Sequence, residues 1–435
     1  MQDQHDIVII GAGIIGACTA YELGKLGYKT VSVDKSPQAG YGSTSSSCAI
    51  IRTYYSTSDT CALAYESWHY WNDWNTYLNG LVDSDELIEY HNTGCLVAKT
   101  KLNSHLEKVC GVMDTLKCPY EHIANAALSN YLPNVDARCF FPAKTIDEAG
   151  FGEATEGEIG GAVFFPCGGY VNNPMQSAVN VQKAAQKHGA EFRFNTEVTA
   201  VLRSENKVAG VQLSDGSTIL APVVINVGGP HSSIINNMAG VADTMKMSTR
   251  ALRHEVAHVD APEAFNTVDR MVTSDSDVQV YTRPSSGNGF LIGSEDPECD
   301  EREWVSDPDN YNLDFSAQWK TLVMRLAQRI PDLGIPDTAK GVVALYDVSE
   351  DWMPIYDKSD LPGFFMACGT SGNQYKNAPV AGKIMAALVK AAENGQDHDT
   401  NPVQLTLENT GYELSLDCFS RNREINSESS FSVIG

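Results

Sequence analysis

Hydrophobic and polar residues near the start of the chain follow a strand, helix, strand pattern. Residues 7–10, IVII, form a short apolar run, which is typical of a strand buried on both faces. After a group of glycines, apolar residues recur at helical spacing from Ala17 to Leu23. A second short apolar segment, KTVSVD, occupies residues 29–34. The pattern therefore predicts a β-α-β unit over residues 6–34.

A similar mixture of elements returns in the middle of the chain. The spacing of apolar residues predicts a helix over residues 174–188 and a strand around Val198. Strands at 206–213 and 218–220 flank the turn sequence SDGS, and PVVINVGG at 222–229 supplies another apolar strand that runs into glycines. These elements indicate a second portion of the domain that begins with the β-α-β unit.

From residue 236 to residue 335 the pattern is richer in strands and less regular. It includes a predicted hairpin, VQVYTRPSSGNGFLIG, at residues 278–293. A last strand, glycine turn and helix follow, with the helix beginning near Ala378 and carrying Pro379 in its first turn. This change of pattern predicts a second domain inserted into the first.

We therefore predict an α/β plus α+β fold, in which a Rossmann-like nucleotide-binding domain is interleaved with a sheet-based substrate domain. The predicted ranges are 1–85, 150–235 and 336–400 for the nucleotide-binding domain, 86–149 and 236–335 for the substrate domain, and 401–435 for a polar C-terminal tail, to which we assign no function.

Composition narrows the classes of partner. The chain has 435 residues and a formal net charge of −24, which argues against binding to nucleic acid or to anionic lipid. Its first residues, MQDQHDIVIIG, lack the basic region of a signal peptide, and no run approaches the roughly 18 apolar residues of a membrane span. Eleven cysteines without C-x-x-C spacing favour reduced thiols. We expect a cytoplasmic protein without an integral membrane segment.

The glycine turn after the first strand has the spacing of a dinucleotide-binding motif. Gly11 and Gly13 allow the backbone to turn and approach a pyrophosphate, while Gly16 allows close packing of helix and strand. The start of the helix then faces the phosphates. Asp34 ends the second strand, near the offset at which a carboxylate accepts hydrogen bonds from a ribose.

A competing motif is HEVAH at residues 254–258, which matches the zinc-hydrolase pattern H-E-x-x-H. That chemistry requires a helix, so that both histidines share one face. Here the surrounding residues alternate with a two-residue period, and DAPEA ends the segment, so we predict a strand with His254 and Glu255 on opposite sides. We predict no metal site, and a metallohydrolase is the least favoured function.

Three further motifs carry a resemblance to a known family. They are VDKSPQAGYGSTSSSCAIIR at 33–52, YTRPSSGNGFLIG at 281–293, and YDVSEDWMPIYD followed by GFFMACGTSGNQYKNAPVAG within 346–382. With the glycine motif, they resemble the D-amino-acid oxidase family of FAD-dependent oxidoreductases, nearest the branch of monomeric sarcosine oxidase, dimethylglycine dehydrogenase and glycine oxidase. The resemblance covers nearly the whole chain except the tail.

The resemblance implies that the cofactor is FAD, with its flavin ring between the two domains. Sarcosine oxidases attach FAD through a cysteine before the aromatic residue of the YD segment, but GVVALYDVSED has none, so we expect non-covalent binding. The predicted cofactor-binding residues are Gly11, Gly13, Ile14, Ile15, Gly16, Asp34, Lys35, Ser43, Thr44, Ser45, Ser46, Val198, Gly228, Gly369, Ser371, Gly372, Asn373, Gln374 and Lys376.

The resemblance also implies a substrate site. Arg52 and Lys376 match the two cations that hold the substrate carboxylate over the flavin in sarcosine-oxidase-like enzymes, and Tyr281 and Arg283 are candidate pocket residues. A small amino acid or N-methyl amino acid would lose a hydride to flavin N5, and the resulting imine would be hydrolysed. Backbone N–H groups of Gly369 to Gly372 would stabilise the reduced ring.

Two positions depart from the family pattern. Leu291 stands where sarcosine oxidases have an oxygen-activating lysine, so the electron acceptor is either oxygen or an electron carrier. Glu295 stands near a position that is often histidine in that branch, which allows a substrate with a cationic portion. A flavin-dependent 2-hydroxy-acid dehydrogenase and a catalytically silent flavin-binding scaffold remain alternatives.

Overall fold

The computed structural model describes residues 3–103, 106–285 and 287–434. Its strands, in chain order, are β1 Ile7–Ile10, β2 Thr30–Val33, β3 Ile50–Ile51, β4 Tyr90–His91, β5 Cys95–Ala98, β6 Glu121–Ile123, β7 Ala162–Phe165, β8 Gly169–Val171, β9 Glu191–Arg193, β10 Val198–Ser204, β11 Lys207–Leu213, β12 Thr218–Leu220, β13 Val223–Asn226, β14 Thr249–Asp260, β15 Val272–Asp275, β16 Val280–Ser285, β17 Gly289–Ser294, β18 Trp304–Val305, β19 Gly341–Ser349, β20 Ile355–Lys358, β21 Phe364–Cys368, β22 Gln404–Thr406 and β23 Glu413–Ser415.

The helices, in chain order, are α1 Ile14–Lys25, α2 Ser58–Asn72, α3 Trp74–Tyr77, α4 Leu106–Leu116, α5 Pro174–Lys187, α6 Ser232–Ala239, α7 Ala317–Arg329 and α8 Ala378–Glu393.

A six-stranded sheet forms the nucleotide-binding part of the molecule, in the order β20-β21-β13-β1-β2-β9. All neighbours in it are parallel except β20 and β21. All four residues of β1 are buried, because the strand lies in the middle of the sheet with other elements on both faces. The predicted strands 7–10 and 222–229 are therefore confirmed.

Three helices, α1, α5 and α8, pack together against one face of this sheet and form its largest core. Asn173 begins α5 by accepting a hydrogen bond from the backbone N–H of Gln176, and Pro174 occupies the first turn, where a missing N–H costs nothing. The predicted helices over 174–188 and from Ala378 are confirmed. These helices place the start of α1 at the edge of the sheet where β1 and β2 end.

A nine-stranded sheet forms the second part, in the order β18-β14-β17-β16-β15-β5-β7-β6, with β19 also paired to β14. Strands β16 and β17 confirm the predicted hairpin, whose turn includes position 286, outside the described residues. The sheet also contains β7 and β19, which come from ranges predicted for the nucleotide-binding domain. The division of the chain into domains stays a prediction.

The HEVAH segment lies within β14, which confirms the predicted strand. His254 pairs through Nε2 with Asp296 Oδ1 at 3.0 Å and stacks on Tyr346, with ring centroids 4.2 Å apart. Glu255 instead accepts from Arg253 at 2.8 Å. Among the described residues, no group of three or more His, Cys, Asp or Glu side chains is arranged to hold a metal ion.

Part of the C-terminal tail folds onto the six-stranded sheet. Leu407, Leu414 and Phe419 are buried in the same core as α1 and α8. The buried guanidinium of Arg421 pairs with Asp357 at 2.9 Å, which fixes the following residues against the rest of the molecule. The tail then continues toward the nine-stranded sheet.

All eleven cysteines lie in the described part of the chain, and each is a free thiol. Within that part, no helix combines the length and the hydrophobicity needed to cross a membrane.

Candidate active site

A cavity of about 580 Å³ lies between the two sheets. At one end it is lined by the glycine turn before α1, and at the other by side chains of β15, β16 and β19. The predicted residues that line it are Gly11, Gly13, Ile14, Ile15, Gly16, Asp34, Lys35, Arg52, Ser43, Thr44, Ser46, Val198, Gly228, Tyr281, Gly372, Asn373, Gln374 and Lys376. The fold thus brings most of the predicted site residues to one continuous space.

The glycine turn leaves no room for side chains. A Cβ on Gly11, whose φ is +113°, would lie 2.4 Å from the carbonyl oxygen of Val227, and one on Gly16 would lie 2.2 Å from the carbonyl oxygen of Gly11. Both distances are far below contact distance, so helix α1 begins directly against the turn. The resulting arrangement exposes backbone to the cavity.

Asp34 orders this turn from the neighbouring strand. Its Oδ2 accepts the N–H of Ala12 at 2.7 Å, and its Oδ1 accepts the N–H of Ser36 at 2.8 Å. Both oxygens are thus engaged while the residue still lines the cavity. A ribose hydroxyl would have to share these oxygens, whose additional lone pairs remain available.

The serine-rich loop crosses the start of α1. The hydroxyl oxygen of Thr44 accepts the N–H of Ile14 at 3.1 Å, so it caps one of the helix N–H groups that have no partner within the helix. Ser43 donates its hydroxyl to the carbonyl of Leu345 at 3.1 Å, which joins the loop to β19. Ser45 does not line the cavity, and its hydroxyl donates to the carbonyl of Tyr41 at 2.7 Å as a turn residue.

At the opening near Asp34, a cluster of three polar side chains, which includes the ion pair of Lys35 and Asp309, connects the two parts of the molecule. Lys35 Nζ donates to Asp309 Oδ1 at 2.5 Å, and His231 Nε2 lies 3.1 Å from the same oxygen. Lys35 follows β2 of the six-stranded sheet, whereas Asp309 belongs to the loop between β18 and α7. Lys35 therefore lines the cavity with its ammonium group already paired.

The turn between β21 and α8 is held by Asp347. Its Oδ2 accepts the N–H of Gly369 at 2.7 Å, and its carbonyl accepts the N–H of Ser371 at 2.7 Å. These two N–H groups, predicted to face the cofactor, point to Asp347, and neither residue lines the cavity. Burial raises the pKa of the Asp347 carboxyl to about 7. Thr370 and Gly372 are the members of this turn that line the cavity.

Arg52 and Lys376, far apart in the sequence, meet on one aromatic ring. The guanidinium carbon of Arg52 lies 4.3 Å from the ring centroid of Tyr55, and Lys376 Nζ lies 4.9 Å from the same centroid. The Tyr55 hydroxyl donates to the carbonyl of Asn373 at 3.1 Å, and Lys376 Nζ donates to that carbonyl as well. Tyr55 therefore fixes two cations beside each other in the cavity.

These two cations are poorly compensated. Arg52 is 7% exposed and Lys376 is 3% exposed, and neither is paired with a carboxylate among the described residues. Burial, together with the nearby positive charge of Arg52, holds the pKa of Lys376 well below its ordinary value. An anion placed between the two groups would relieve this repulsion and favour the charged form of Lys376.

The donors of Arg52 are occupied by backbone carbonyl groups. Nη1 donates to the carbonyl of Tyr54 at 2.6 Å, while Nη2 donates to the carbonyls of Val433, at 3.1 Å, and of Ile434. We call residues 429–434 the covering segment, because it reaches the cavity from the tail and lies over Arg52. The N–H of Val433 in turn donates to Asp296 Oδ2 at 3.2 Å.

The two predicted pocket residues, Tyr281 and Arg283, both lie on β16 but differ in their access to the cavity. Tyr281 lines the cavity, with its hydroxyl 3.8 Å from the Cys48 thiol, and burial raises the pKa of that hydroxyl well above its ordinary value. Arg283 lies beside the cavity, with its guanidinium 4.7 Å from the ring centroid of Tyr170 and Nη1 donating to the carbonyl of Pro284. Only Tyr281 is thus in direct reach of a ligand.

A buried carboxyl completes this end of the cavity. Glu295 follows β17 directly and is 3% exposed. Its Oε1 accepts the hydroxyl of Ser274 at 2.6 Å, and its Oε2 has no hydrogen-bond partner among the described residues. Glu295 and Ser274 line the cavity together with Arg52 and Tyr281.

Comparison with known proteins identifies this arrangement. The family model described as DAO, FAD dependent oxidoreductase, matches residues 6–388. The chain belongs to this family.

Relatives of this FAD-dependent oxidoreductase include the sarcosine oxidase subunit beta of Rhodobacter capsulatus, which is 26% identical over 396 residues that make up 89% of this chain and 85% of the relative. Glycine oxidase of Geobacillus kaustophilus is 24% identical over 418 residues, which cover 93% of this chain and 98% of the relative. At these identities the relatives establish an oxidoreductase of the amino-acid oxidase kind and leave its substrate open.

Solved structures share the fold. The crystal structure of L-proline dehydrogenase from P. horikoshii superposes with a TM-score of 0.75 at 19% identity and covers 97% of this chain and 98% of that chain. Glycine oxidase from Geobacillus kaustophilus gives a TM-score of 0.73 at 20% identity, with 98% of this chain and 100% of that chain covered. The predicted Rossmann-like fold combined with a sheet-based part is confirmed.

The cavity of this oxidoreductase fits the FAD that its family binds. The glycine turn has no space for a Cβ, the first turn of α1 has N–H groups without partners inside the helix, and the Asp34 carboxylate lies next to both. From there the cavity continues, without interruption, to Arg52 and Lys376. The prediction of an FAD-dependent enzyme is confirmed.

Several residues in or beside the cavity were not assigned a role from the sequence. They are Tyr55, Asp347, Val433 and Ile434, whose roles depend on contacts with distant residues. A weak signal existed for Tyr55, which lies three residues after Arg52 in an otherwise apolar and aromatic stretch. Asp347 lies in the YD segment, but nothing in that motif shows that it binds the turn at Gly369, and no local pattern marks Val433 or Ile434.

Proposed function

We propose that this enzyme oxidises the carbon–nitrogen bond of a small amino acid or N-methyl amino acid, with sarcosine and dimethylglycine as the first candidates. The observation that carries the proposal is the meeting of Arg52 and Lys376 on the Tyr55 ring, inside the cavity that begins at the glycine turn. Two adjacent buried cations without a carboxylate partner favour a ligand with one carboxylate.

The names of the enzyme's relatives and the width of the cavity near Arg52 both support this choice of substrate. Relatives include subunits named sarcosine oxidase and enzymes named glycine oxidase, which point to small amino acids. The end of the cavity near Arg52 is bounded by Tyr54 and Tyr281, which favours a compact ligand.

Each residue then has a specific task. The fork of Arg52 and the ammonium group of Lys376 bind the carboxylate and orient the carbon–nitrogen bond, because bidentate pairing fixes direction as well as position. Tyr281 and His254 enclose the space around the substrate nitrogen and exclude water. FAD, when bound, accepts the two electrons that leave the substrate. The oxidised product leaves the site as an imine, which water then hydrolyses.

Our expectation for the electron acceptor rests on Leu291, whose side chain supplies no positive charge. This residue is paired in β17 with His258 of β14 and Arg283 of β16, and it does not line the cavity. We expect slow reaction with oxygen and faster turnover with an artificial carrier.

Anaerobic titration tests the proposal directly. Purified protein is mixed with sarcosine, dimethylglycine, D-alanine or lactate, and the loss of flavin absorbance is recorded. We expect bleaching by at least one amine and none by lactate. Bleaching by lactate alone would instead favour a 2-hydroxy-acid dehydrogenase, for which the same pair of cations would serve equally well.

Acid precipitation tests how FAD is held. We expect the supernatant to be yellow, because the segment 341–351 that approaches the cavity contains no cysteine. A yellow pellet and a colourless supernatant would indicate covalent attachment.

A further inference from the structure

We propose that Glu295 is a catalytic residue that receives the substrate nitrogen and accepts a proton from its ammonium group. The proposal rests on the proposed function and deepens it, because it assigns the partner of the substrate nitrogen and selects amines over alcohols. It is drawn from a buried carboxyl oxygen without a hydrogen-bond partner among the described residues, on a side chain that lines the cavity.

The position of Glu295 is fixed on one side only. Ser274 of β15 donates its hydroxyl to Oε1 at 2.6 Å, and the backbone N–H of Glu295 donates to the carbonyl of Gln279 at 3.1 Å. Asp296, the next residue, has a φ of +60°, so the chain turns away immediately after the carboxyl. The side chain is thus held in place while Oε2 has no partner in the described part of the chain.

A buried carboxyl oxygen is normally hydrogen-bonded, since loss of hydration must be replaced. Here Glu295 lines the same cavity as Arg52 and Tyr54, where a substrate bound through its carboxylate would place its nitrogen nearby. An ammonium group supplies the missing donor. Hydroxy acids supply only a hydroxyl, which is far too weak an acid for a carboxylate to deprotonate.

The charged groups around Glu295 determine when it is ionised. Burial, followed by the negative charge of Asp275, favours the neutral acid, whereas the Ser274 hydroxyl and the Arg52 charge favour the carboxylate. Asp275 is itself paired with Arg329 at 2.6 Å, and Tyr54 is kept neutral because burial raises its pKa. The net result is a Glu295 pKa raised to about 8.

The proposed step moves one proton from the substrate ammonium group to Glu295 Oε2. An N–H bond of the substrate ammonium breaks, an O–H bond forms on Oε2, and the electron pair stays on nitrogen as a lone pair. Oxidation of an amine requires that lone pair, because it becomes part of the carbon–nitrogen double bond. A carboxyl with a raised pKa accepts this proton more readily than an ordinary glutamate would.

The pH dependence of kcat/KM has a definite sign. Because a zwitterionic substrate needs ionised Glu295, kcat/KM rises with pH, is half-maximal near pH 8 and levels off above it. In Glu295→Gln the amide still accepts from Ser274 but takes no proton, so kcat/KM rises only as the substrate ammonium itself ionises in solution. We expect the rise to move to higher pH, with kcat/KM at pH 7 about 10²-fold lower.

The test measures kcat/KM from pH 6 to 11 for wild type and Glu295→Gln, using the amine that bleaches the flavin and an artificial acceptor. Lys376 titrates in both proteins, so the difference between the two profiles isolates Glu295. Ser274→Ala supplies a second readout, because loss of its hydrogen bond raises the Glu295 pKa and moves the rise slightly upward while the carboxyl remains. For Glu295→Asp, which keeps the carboxyl, kcat/KM should rise at a lower pH than it does for Glu295→Gln.

Acetate, a carboxylate without nitrogen, separates this proposal from the proposed function. Its binding, followed by the flavin absorbance shift, should persist in Glu295→Gln and be lost in Arg52→Ala. Identical pH profiles of wild type and Glu295→Gln, with acetate binding still dependent on Arg52, would overturn the role of Glu295 alone. If acetate binding does not depend on Arg52, or if lactate is the only reductant, both proposals fail.

Discussion

Two buried cations side by side repel each other, and at the residue scale the enzyme offsets this repulsion with an aromatic ring. Tyr55 presents its ring to both Arg52 and Lys376, and its hydroxyl fixes the carbonyl of Asn373, which Lys376 also contacts. Such cation–π contacts stabilise positive charge without neutralising it. The site is therefore ready for an anion and remains positive without one.

Replacement of Arg52 by lysine tests the role of the guanidinium group at constant charge. Lysine lacks the planar fork and reaches Tyr54 and Tyr55 poorly, so Arg52→Lys should lower kcat/KM by about 10²-fold, the equivalent of one charge-assisted hydrogen bond of about 1.5–3 kcal/mol. Steady-state kinetics with the amine substrate provide the measurement. Arg250→Lys is the matched control, because Arg250 is exposed over Trp304, at 4.2 Å from its ring centroid, and away from the cavity. Equal effects of both changes would contradict a specific role of the fork.

At the scale of elements, α1 depends on direct contact with the turn before it. The helix begins at Ile14, capped by Thr44 from the serine-rich loop, and Gly16 in its first turn lies against the carbonyl of Gly11. The position of the helix start, and with it the place for the FAD phosphates, is therefore determined by the absence of one side chain.

Gly16→Ala should consequently release FAD. The new Cβ would lie 2.2 Å from the Gly11 carbonyl oxygen, so α1 must move and the turn must open. We expect purified Gly16→Ala to contain little FAD and to melt several degrees lower than wild type. Gly42→Ala is the control in the same region, since nothing lies within 4 Å of its added Cβ. Retention of FAD by Gly16→Ala at the level of Gly42→Ala would contradict this explanation.

The covering segment, residues 429–434, is the second element with a direct effect on the site. Its carbonyl groups use the Arg52 donors that a substrate carboxylate needs, so binding requires that the segment move aside. It is held by the packing of Val433 against Leu252, Val348 and Trp352, and by hydrogen bonds. The Ser429 hydroxyl donates to the carbonyl of Asp351 at 2.5 Å, and Arg302 donates to the carbonyl of Phe431 at 3.1 Å.

A chain that ends at residue 428 should bind acetate several-fold more tightly, because no backbone carbonyl competes for Arg52. Titration of the flavin absorbance gives the dissociation constant. Arg302→Ala loosens the segment while the chain length is unchanged, and we expect a smaller change in the same direction. Unchanged or weaker acetate binding in both variants would show that the segment does not compete with carboxylates.

At the scale of the whole molecule, the cavity lies between two sheets that must keep their relative position. The charged cluster of Lys35, Asp309 and His231 connects them at the opening near Asp34. Asp309 is 57% exposed, and exposed ion pairs contribute only about 0–1 kcal/mol to folding. The cluster therefore matters more for access to the cavity than for the stability of the fold.

Asp309→Asn should accelerate the loss of FAD while the melting temperature stays nearly constant. The weakened contact leaves the opening beside Asp34 easier to widen, and high salt should have a similar effect on wild type because it screens exposed charges. Release of FAD after dilution is followed by its fluorescence. Glu424→Gln, which breaks an exposed ion pair with Lys246 outside the cavity, is the control. Equal release rates in the two variants would contradict a role for the cluster.

The amino-acid sequence by itself determined the features that depend on neighbouring residues. The buried strand before Gly11, the helix after it, the strand through His254 and the hairpin around Tyr281 follow from local periodicity and from the conformations open to glycine. The offset of Asp34 was equally readable, because one helix and one strand fix its distance from the turn.

Only the tertiary structure decided which distant groups meet. The ring of Tyr55 under two cations, the unpaired oxygen of Glu295 and the carbonyl groups of Val433 over Arg52 depend on contacts between segments far apart in the chain. The same is true of Ser371, whose N–H is bound by the carbonyl of Asp347 instead of facing the cavity. Local sequence sets backbone conformation, but burial and pairing of charge arise from long-range packing, and this packing determines the chemistry of the site.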